Sequence, residues 1–368
     1  MKTTKKAALS GLALTASAVL LAGCGSAPEE TTGGGETDSD FRPCLISDEG
    51  GWNDRSFNQS AKEGMDRAAE ELGIEPTELE SSSANDYAPN LETLVDSEGC
   101  SLIISVGFNL SAATVESALA NPDVDYAIID DWADNDYDGE TDAPNIKPLV
   151  FDAAQAAYLG GYASAAWSAE SGVNKVGTFG GAQIPSVAVF MDGYQLGVEK
   201  YNEDKGASVE VVGWDTESQT GSFTGGFEAN DVARQTAQGV LDQGVDVILP
   251  VGGPIYTSAA AAIQDSGDDV LLLGVDSDLA VKDPDLADIT YVSVLKAIDQ
   301  AGYDSTVTAA TGDFDVEPYV GTLENEGVAL SSFHDFESQL PDGLTDELAA
   351  LQEQIIAGDI VVESPNSP

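Results

Sequence analysis

Apolar positions along this chain recur in two rhythms. Short continuous runs, such as Leu45-Ile46, Leu102-Ile103-Ile104 and Val247-Ile248-Leu249, have the length of buried strands. Between them lie longer stretches with helical spacing. Over 56–72, for example, Met65, Ala68, Ala69 and Leu72 fall on one face. Read in order, the pattern predicts strands at 45–47, 78–81, 102–106, 126–129 and 146–151, with helices at 56–72, 87–96 and 112–120. The series then restarts with helix 152–169, strand 175–179, helix 187–201, strand 209–214, helix 229–243, strand 247–251, helix 257–265 and strand 270–275. A strand at 290–295 and a helix at 296–310 follow, and both are assigned to the first half. Residues 317–330 read as a hairpin and 344–357 as a last helix. Strands alternating with helices predict an α/β protein with parallel sheets covered on both faces. Two such series predict two lobes with a cleft between them: 41–150 plus 288–315, and 151–287 plus 316–368.

The start of the chain breaks both rhythms. Lys2, Lys5 and Lys6 precede an apolar run over 7–22 that ends in Leu21-Ala22-Gly23-Cys24. A membrane-spanning helix needs about 20 consecutive apolar residues; this run is shorter, and Ser10, Gly11, Thr15 and Ser17 interrupt it. A charged start and a small-residue end are those of a secretory signal, so 1–23 reads as a signal peptide. Leu-Ala-Gly-Cys resembles the bacterial lipobox, which implies cleavage before Cys24 and lipid on its thiol. Residues 24–40 are mostly Gly, Ser, Thr, Pro and acids, and read as a flexible tether. The expected location is the extracytoplasmic face of a cell membrane, with the lipid as the only attachment.

Composition removes several function classes. Against 65 Asp and Glu stand 14 Lys and Arg, for a net charge of −51. Binding nucleic acid requires cations to neutralise phosphate, so no nucleic-acid partner is expected. The same deficit disfavours adhesion to an anionic membrane surface. The acids read as a solvated surface of the salt-adapted kind. The acidic stretch Asp134-Asn135-Asp136-Tyr137-Asp138 lacks the ligand order and final Glu of an EF-hand. His334 is the single histidine, and no Gly-x-Ser-x-Gly elbow stands at a strand end. No catalytic set, metal site or cofactor is therefore expected, and the chain reads as a non-enzyme. Cys44 and Cys100 open strands that are neighbours in a sheet ordered 2-1-3. Outside the cytoplasm they can form a disulfide; the alternative is two buried free thiols.

In open parallel sheets ligands bind beyond the carboxyl ends of the strands. The stretches so placed are 48–58, 107–109, 130–131, 180–190, 252–253 and 276–278. In the first, the glycines allow a tight turn, Asp54 or Ser56 can cap the next helix, and Trp52 and Phe57 are apolar residues in a polar loop. Asn58 offers both a donor and an acceptor. Gly180-Gly181 and Gly252-Gly253 are not followed by Gly-Lys-Ser/Thr, so neither is a P-loop. Lys296 follows an apolar run, and a buried lysine there needs an acid such as Asp276 or a ligand hydroxyl.

These residues carry a resemblance. Asp48-x-Gly-Gly-x-Asn-Asp-x-Ser-Phe-Asn-Gln, Ile128-Ile129-Asp130-Asp131, Phe190-x-x-Gly193-Tyr194-x-x-Gly197, Val251-Gly252-Gly253, Gly274-Val275-Asp276-Ser277-Asp278 and Ser293-Val294-Leu295-Lys296 together resemble the basic membrane protein family of bacterial lipoproteins. Its members include a purine nucleoside receptor that feeds an ABC importer. The resemblance implies a type I periplasmic-binding fold, two Rossmann-like lobes joined by crossover strands. It implies a nucleoside ligand, an ABC permease as partner, and a monomer. It implies that Phe57 and Asn58 meet the base, that Phe190 is the second aromatic face, that Asp130 hydrogen-bonds the base, and that Gly252, Asp276 and Lys296 hold the ribose. Asp48 and Asn53, from the same loop as Phe57, complete the expected ligand-binding set. The chain departs from the family pattern at Tyr194, where Phe is common, and at Pro254, where a glycine is expected. Two rival readings share the fold: a receptor presenting its ligand to a membrane sensor, and a sugar-binding protein.

Overall fold

The computed structural model describes residues 40–368. The expected signal peptide, Cys24 and all of the tether but its last residue lie outside them. In chain order the elements run β1 (Pro43–Ser47), α1 (Phe57–Leu72), β2 (Thr77–Leu79), α2 (Tyr87–Thr93), β3 (Leu102–Val106), α3 (Ser111–Ala120), β4 (Asp125–Ile129) and β5 (Ile146–Phe151). Then come α4 (Ala153–Ser171), β6 (Lys175–Gly180), α5 (Pro185–Lys205), β7 (Glu210–Val212), the ribbon β8 (Trp214–Asp215) and β9 (Thr220–Gly221), α6 (Asp231–Leu241), β10 (Val247–Val251), α7 (Ile255–Ser266), β11 (Leu271–Asp276) and α8 (Leu279–Lys282). The chain closes with β12 (Thr290–Lys296), α9 (Ile298–Ala310), β13 (Tyr319–Gly321), β14 (Val328–Leu330) and α10 (Leu344–Ile356). No helix among the described residues is long and apolar enough to cross a membrane.

The strands form two six-stranded sheets of matching order, β13-β5-β4-β3-β1-β2 and β14-β12-β11-β10-β6-β7. All pairs within them are parallel except β12 with β14. Central strands such as β1, β3 and β10 are buried along their whole length, which is why their sequences are continuous apolar runs. Cys44 and Cys100 are joined as a disulfide, with Cα atoms 5.9 Å apart. Cys44 lies on β1, and Cys100 stands just before its neighbour β3.

Two assignments in the last third change. The strand expected in the first lobe, β12, pairs with β11 in the second sheet; only the helix after it, α9, returns to pack on α1. Residues 317–330 are not a hairpin: β13 joins β5 in the first sheet and β14 joins β12 in the second. Hydrophobic periodicity identifies a strand but not its partner, and the partner decides the lobe. The chain thus passes between the sheets at 151–153, at 296–298 and at 322–327. These crossings are tied together, because Asp152 N donates to Gly321 O at 2.8 Å and Ala297 N to Gly327 O at 2.9 Å.

Candidate functional site

The loop after β1 builds one wall of the site. Asp48 Oδ1 accepts from Gly50 N at 2.9 Å and from the Asn58 side-chain nitrogen at 2.8 Å. Gly50 is required here, because a Cβ at that position would sit 2.6 Å from Asn58 Nδ2. Asp54 caps α1: its carboxylate accepts from the backbone N–H groups of Ser56, Asn58 and Gln59 at 2.9–3.0 Å. Asn58 Nδ2 points at both Asp48 and Asp54, so its oxygen points elsewhere; Asn58 Oδ1 is buried and has no partner. Burial pushes Asp48 up to about 6, with Glu49 and Asp54 adding to it against the hydrogen bonds from Gly50 and Asn58. Two expectations for this loop change. Asn53 is exposed and does not line the cavity. Trp52 turns into the core, with its backbone N–H donating to Glu80 Oε1 at 2.8 Å.

The other wall comes from equivalent positions of the two sheets. Asp130 follows β4 directly and Asp276 ends β11, matching strands in the two orders, and both aspartates adopt left-handed backbone with φ of 66°. Such strain in a non-glycine residue concentrates at functional sites. Between them stands Lys296, the last residue of β12. Its ammonium lies 2.6 Å from Asp130 Oδ2 and 3.6 Å from Asp276 Oδ1. It also lies 5.0, 5.4 and 5.7 Å from the ring centres of Phe190, Phe57 and Phe151. Burial works against that charge, but the two carboxylates outweigh it and hold the lysine above its ordinary value. The sequence requirement that a buried Lys296 find an acid is met twice.

One cavity joins these walls. It encloses about 530 Å³ with its open mouth included. Phe57, Phe190, Phe108 and Phe227 supply aromatic lining; Asp48, Asn58, Asp276 and Lys296 supply polar groups. Gly252 lines it with φ of 151°, where a Cβ would stand 3.0 Å from the Phe227 ring. Asp130 does not line this cavity. It meets Lys296 from behind and faces an adjoining pocket bounded by Trp132, Phe151 and Pro185. Strand ends alone predicted most of the lining. They missed Phe227, whose signal is an aromatic residue in a polar, glycine-containing stretch, the kind of signal that singled out Phe57.

Phe190 reaches the cavity from α5 because of two glycines. A Cβ on Gly193 would sit 2.2 Å from Ala154 O, and one on Gly197 would sit 1.9 Å from Tyr158 O. The Gly193-x-x-x-Gly197 spacing therefore lets α5 lie backbone-to-backbone on α4. Tyr194 is fully buried in that packing and does not line the cavity. Pro254 begins α7 and does line it. His334 pairs with Asp278 at 2.8 Å, outside the cavity. Asp134, Asp136 and Asp138 bring carboxylate oxygens within 4.8 Å of one another. Their oxygens accept from N–H groups of their own loop, including Gly139 and Glu140, which accounts for the grouping.

A cavity between two α/β lobes, at the carboxyl ends of both parallel sheets, defines a solute-binding protein of the periplasmic-binding fold. The solved structure of an ABC transporter solute-binding protein from Aeropyrum pernix has the same fold, with a TM-score of 0.73, 26% identity, and coverage of 87% of this chain and 92% of that one. The chain belongs to the Bmp family of PnrA-like ABC transporter substrate-binding proteins, whose sequence model matches residues 44–364. It is 29% identical to the ABC transporter nucleoside-binding protein BmpA of Lactococcus lactis, over 97% of this chain and 98% of that protein. It is 27% identical to an uncharacterised lipoprotein of Pyrococcus abyssi, over 97% and 93% of the two chains.

Proposed function

We propose that this chain is a lipid-anchored nucleoside-binding protein that captures its ligand outside the cytoplasm and delivers it to an ABC permease. The observation that carries the reading is the mixture in one cavity: aromatic rings beside an unpartnered buried amide oxygen, together with a buried lysine and carboxylate. A nucleobase presents a flat face for Phe57 and Phe190 and a ring or exocyclic N–H for Asn58 Oδ1. The ribose presents vicinal hydroxyls for Asp276 and Lys296. In this reading Asp130 acts on the ligand through Lys296, rather than on the base. The Lactococcus lactis relative, an ABC transporter nucleoside-binding protein, points the same way.

Titration calorimetry with guanosine, adenosine, inosine, uridine, ribose and galactose tests it. Purine nucleosides should bind and the free sugars should not. Folded protein that binds none of the nucleosides ends the reading, and binding of a sugar alone establishes the rival. The anchor rests on Leu21-Ala22-Gly23-Cys24 and on the lipoprotein relative. Cys24→Ala should release the protein from membranes and abolish incorporation of labelled fatty acid. A neighbouring permease gene, rather than a sensor kinase gene, separates transport from signalling.

A further inference from the structure

The first turn of α1 belongs to the first lobe, yet its polar side chains reach into the second. Ser56 Oγ lies 2.9 Å from Asp276 Oδ2 and 3.1 Å from Val275 O. With one proton to give, it favours the nearer, charged acceptor. One turn later Ser60 Oγ meets Ser277 Oγ at 2.6 Å. Arg55 pairs with the buried Asp283, whose other oxygen accepts from Tyr256. Ser56 is buried and does not line the cavity, so it does not touch a ligand held there.

Asp276 is therefore set by two lobes at once. Its Oδ1 faces Lys296 from its own lobe, and its Oδ2 is held by Ser56 from the opposite one. If the lobes separate, the lysine stays and the serine leaves.

We infer that Ser56 is a positioning residue for Asp276, and that with Ser60 it forms a closure latch: the polar end of the site is complete only when the lobes are shut. The latch makes affinity for a hydroxyl-bearing ligand depend on closure, so that an open protein holds the ligand weakly and releases it. This couples capture and release to one movement, and it rests on the nucleoside reading for the identity of the ligand. Two-state closure of this kind shifts apparent affinity by the population of the closed form.

The test is a double-mutant cycle with a ligand-free arm. Ser56→Ala should weaken guanosine or inosine binding about tenfold, mainly through faster dissociation, and Ser56→Thr should restore it. In an Asp276→Ala background the same Ser56→Ala change should cost less than about twofold, because the group it aims is gone. Spin labels at the exposed positions 119 and 232, one on each lobe, read closure without ligand. The Ser56→Ala/Ser60→Ala variant should show a broader, shifted distance distribution. An undiminished Ser56→Ala effect in the Asp276→Ala background, or no effect in the wild type, overturns the positioning role. If the wild type binds no nucleoside, the functional reading fails. The distances alone then decide the latch, and an unchanged distribution overturns it.

Discussion

Lys296 is the residue on which the two lobes converge. It stands on a strand of the second sheet, its nearest acid directly follows a strand of the first, and a second acid ends a strand beside its own. Removing the cation leaves two buried carboxylates facing each other, and breaking a buried pair costs about 3–5 kcal/mol. Lys296→Met should lower stability to urea by that order, and adding Asp130→Asn should recover part of it. Asp48 makes a different prediction. Its carboxyl, at about 6 in the folded protein against 3.8 as the ordinary value, binds protons more readily folded than unfolded. Its contribution is present below about pH 4 and is lost as pH rises through about 6. Relative to Asp48→Asn, the wild type should lose roughly 2 kcal/mol between pH 4 and pH 7, read from urea titrations at each pH. A constant difference across that range would show that burial does not perturb this carboxyl.

At the scale of elements, α4 and α5 are the pair that positions an aromatic wall. Gly197 has no room for a side chain, since a Cβ there would overlap Tyr158 O, whereas Gly239 in α6 faces open space. Gly197→Ala should destabilise by about 1–3 kcal/mol through overpacking and weaken ligand binding by displacing Phe190. Gly239→Ala should stabilise by about 0.5–1 kcal/mol, with binding unchanged. Thermal unfolding and calorimetry on the two variants separate a glycine needed for contact from one that is merely helical. The motif Phe190-x-x-Gly193-Tyr194-x-x-Gly197 is thus legible physically: one residue for the cavity, two for the approach of the helix that carries it. Most helix and strand positions were legible, because period and run length are local properties; the break of 209–214 into β7 and β8, the strand β9 and the short α8 were not. The lobe of β12, and the separation of β13 from β14, were not, because both depend on which neighbour supplies the hydrogen bonds.

At the scale of the molecule, the 14 cations cannot balance 65 acids. Many of them are already engaged in ion pairs, among them Lys62, Lys147, Lys200, Lys205, Lys282, Arg55 and Arg234. The remaining carboxylates repel across the surface, and salt shortens the range of that repulsion from about 10 Å at 0.1 M to about 3 Å at 1 M. The melting temperature should therefore rise by roughly 5–10 °C between 0.1 M and 2 M KCl, and a fall would place the acids in specific contacts instead. Because the proposed ligand is neutral, its affinity should change much less over the same range. The disulfide between Cys44 and Cys100 closes a loop of 56 residues within the first lobe, a constraint of the kind that stabilises by about 4 kcal/mol.

The amino-acid sequence by itself determined what is local or additive: the α/β class, the position of nearly every helix and strand, the charge, the leader motif ending at Cys24, and the rule that a ligand lies beyond the strand ends. It also determined that a buried Lys296 needs an acid or a ligand hydroxyl, because an unpaired buried ammonium is costly. Only the tertiary structure decided which acid. Asp130 and Lys296 are 166 residues apart, and their pairing follows from two sheets set end to end. The same arrangement sent Asn53 to solvent and Trp52 to the core, left Asn58 Oδ1 without a partner, and put Ser56 against Asp276 across the lobes. Periodicity tells which face of an element is buried, while the partner of a polar atom depends on the elements that meet it, and those are brought together only by the fold.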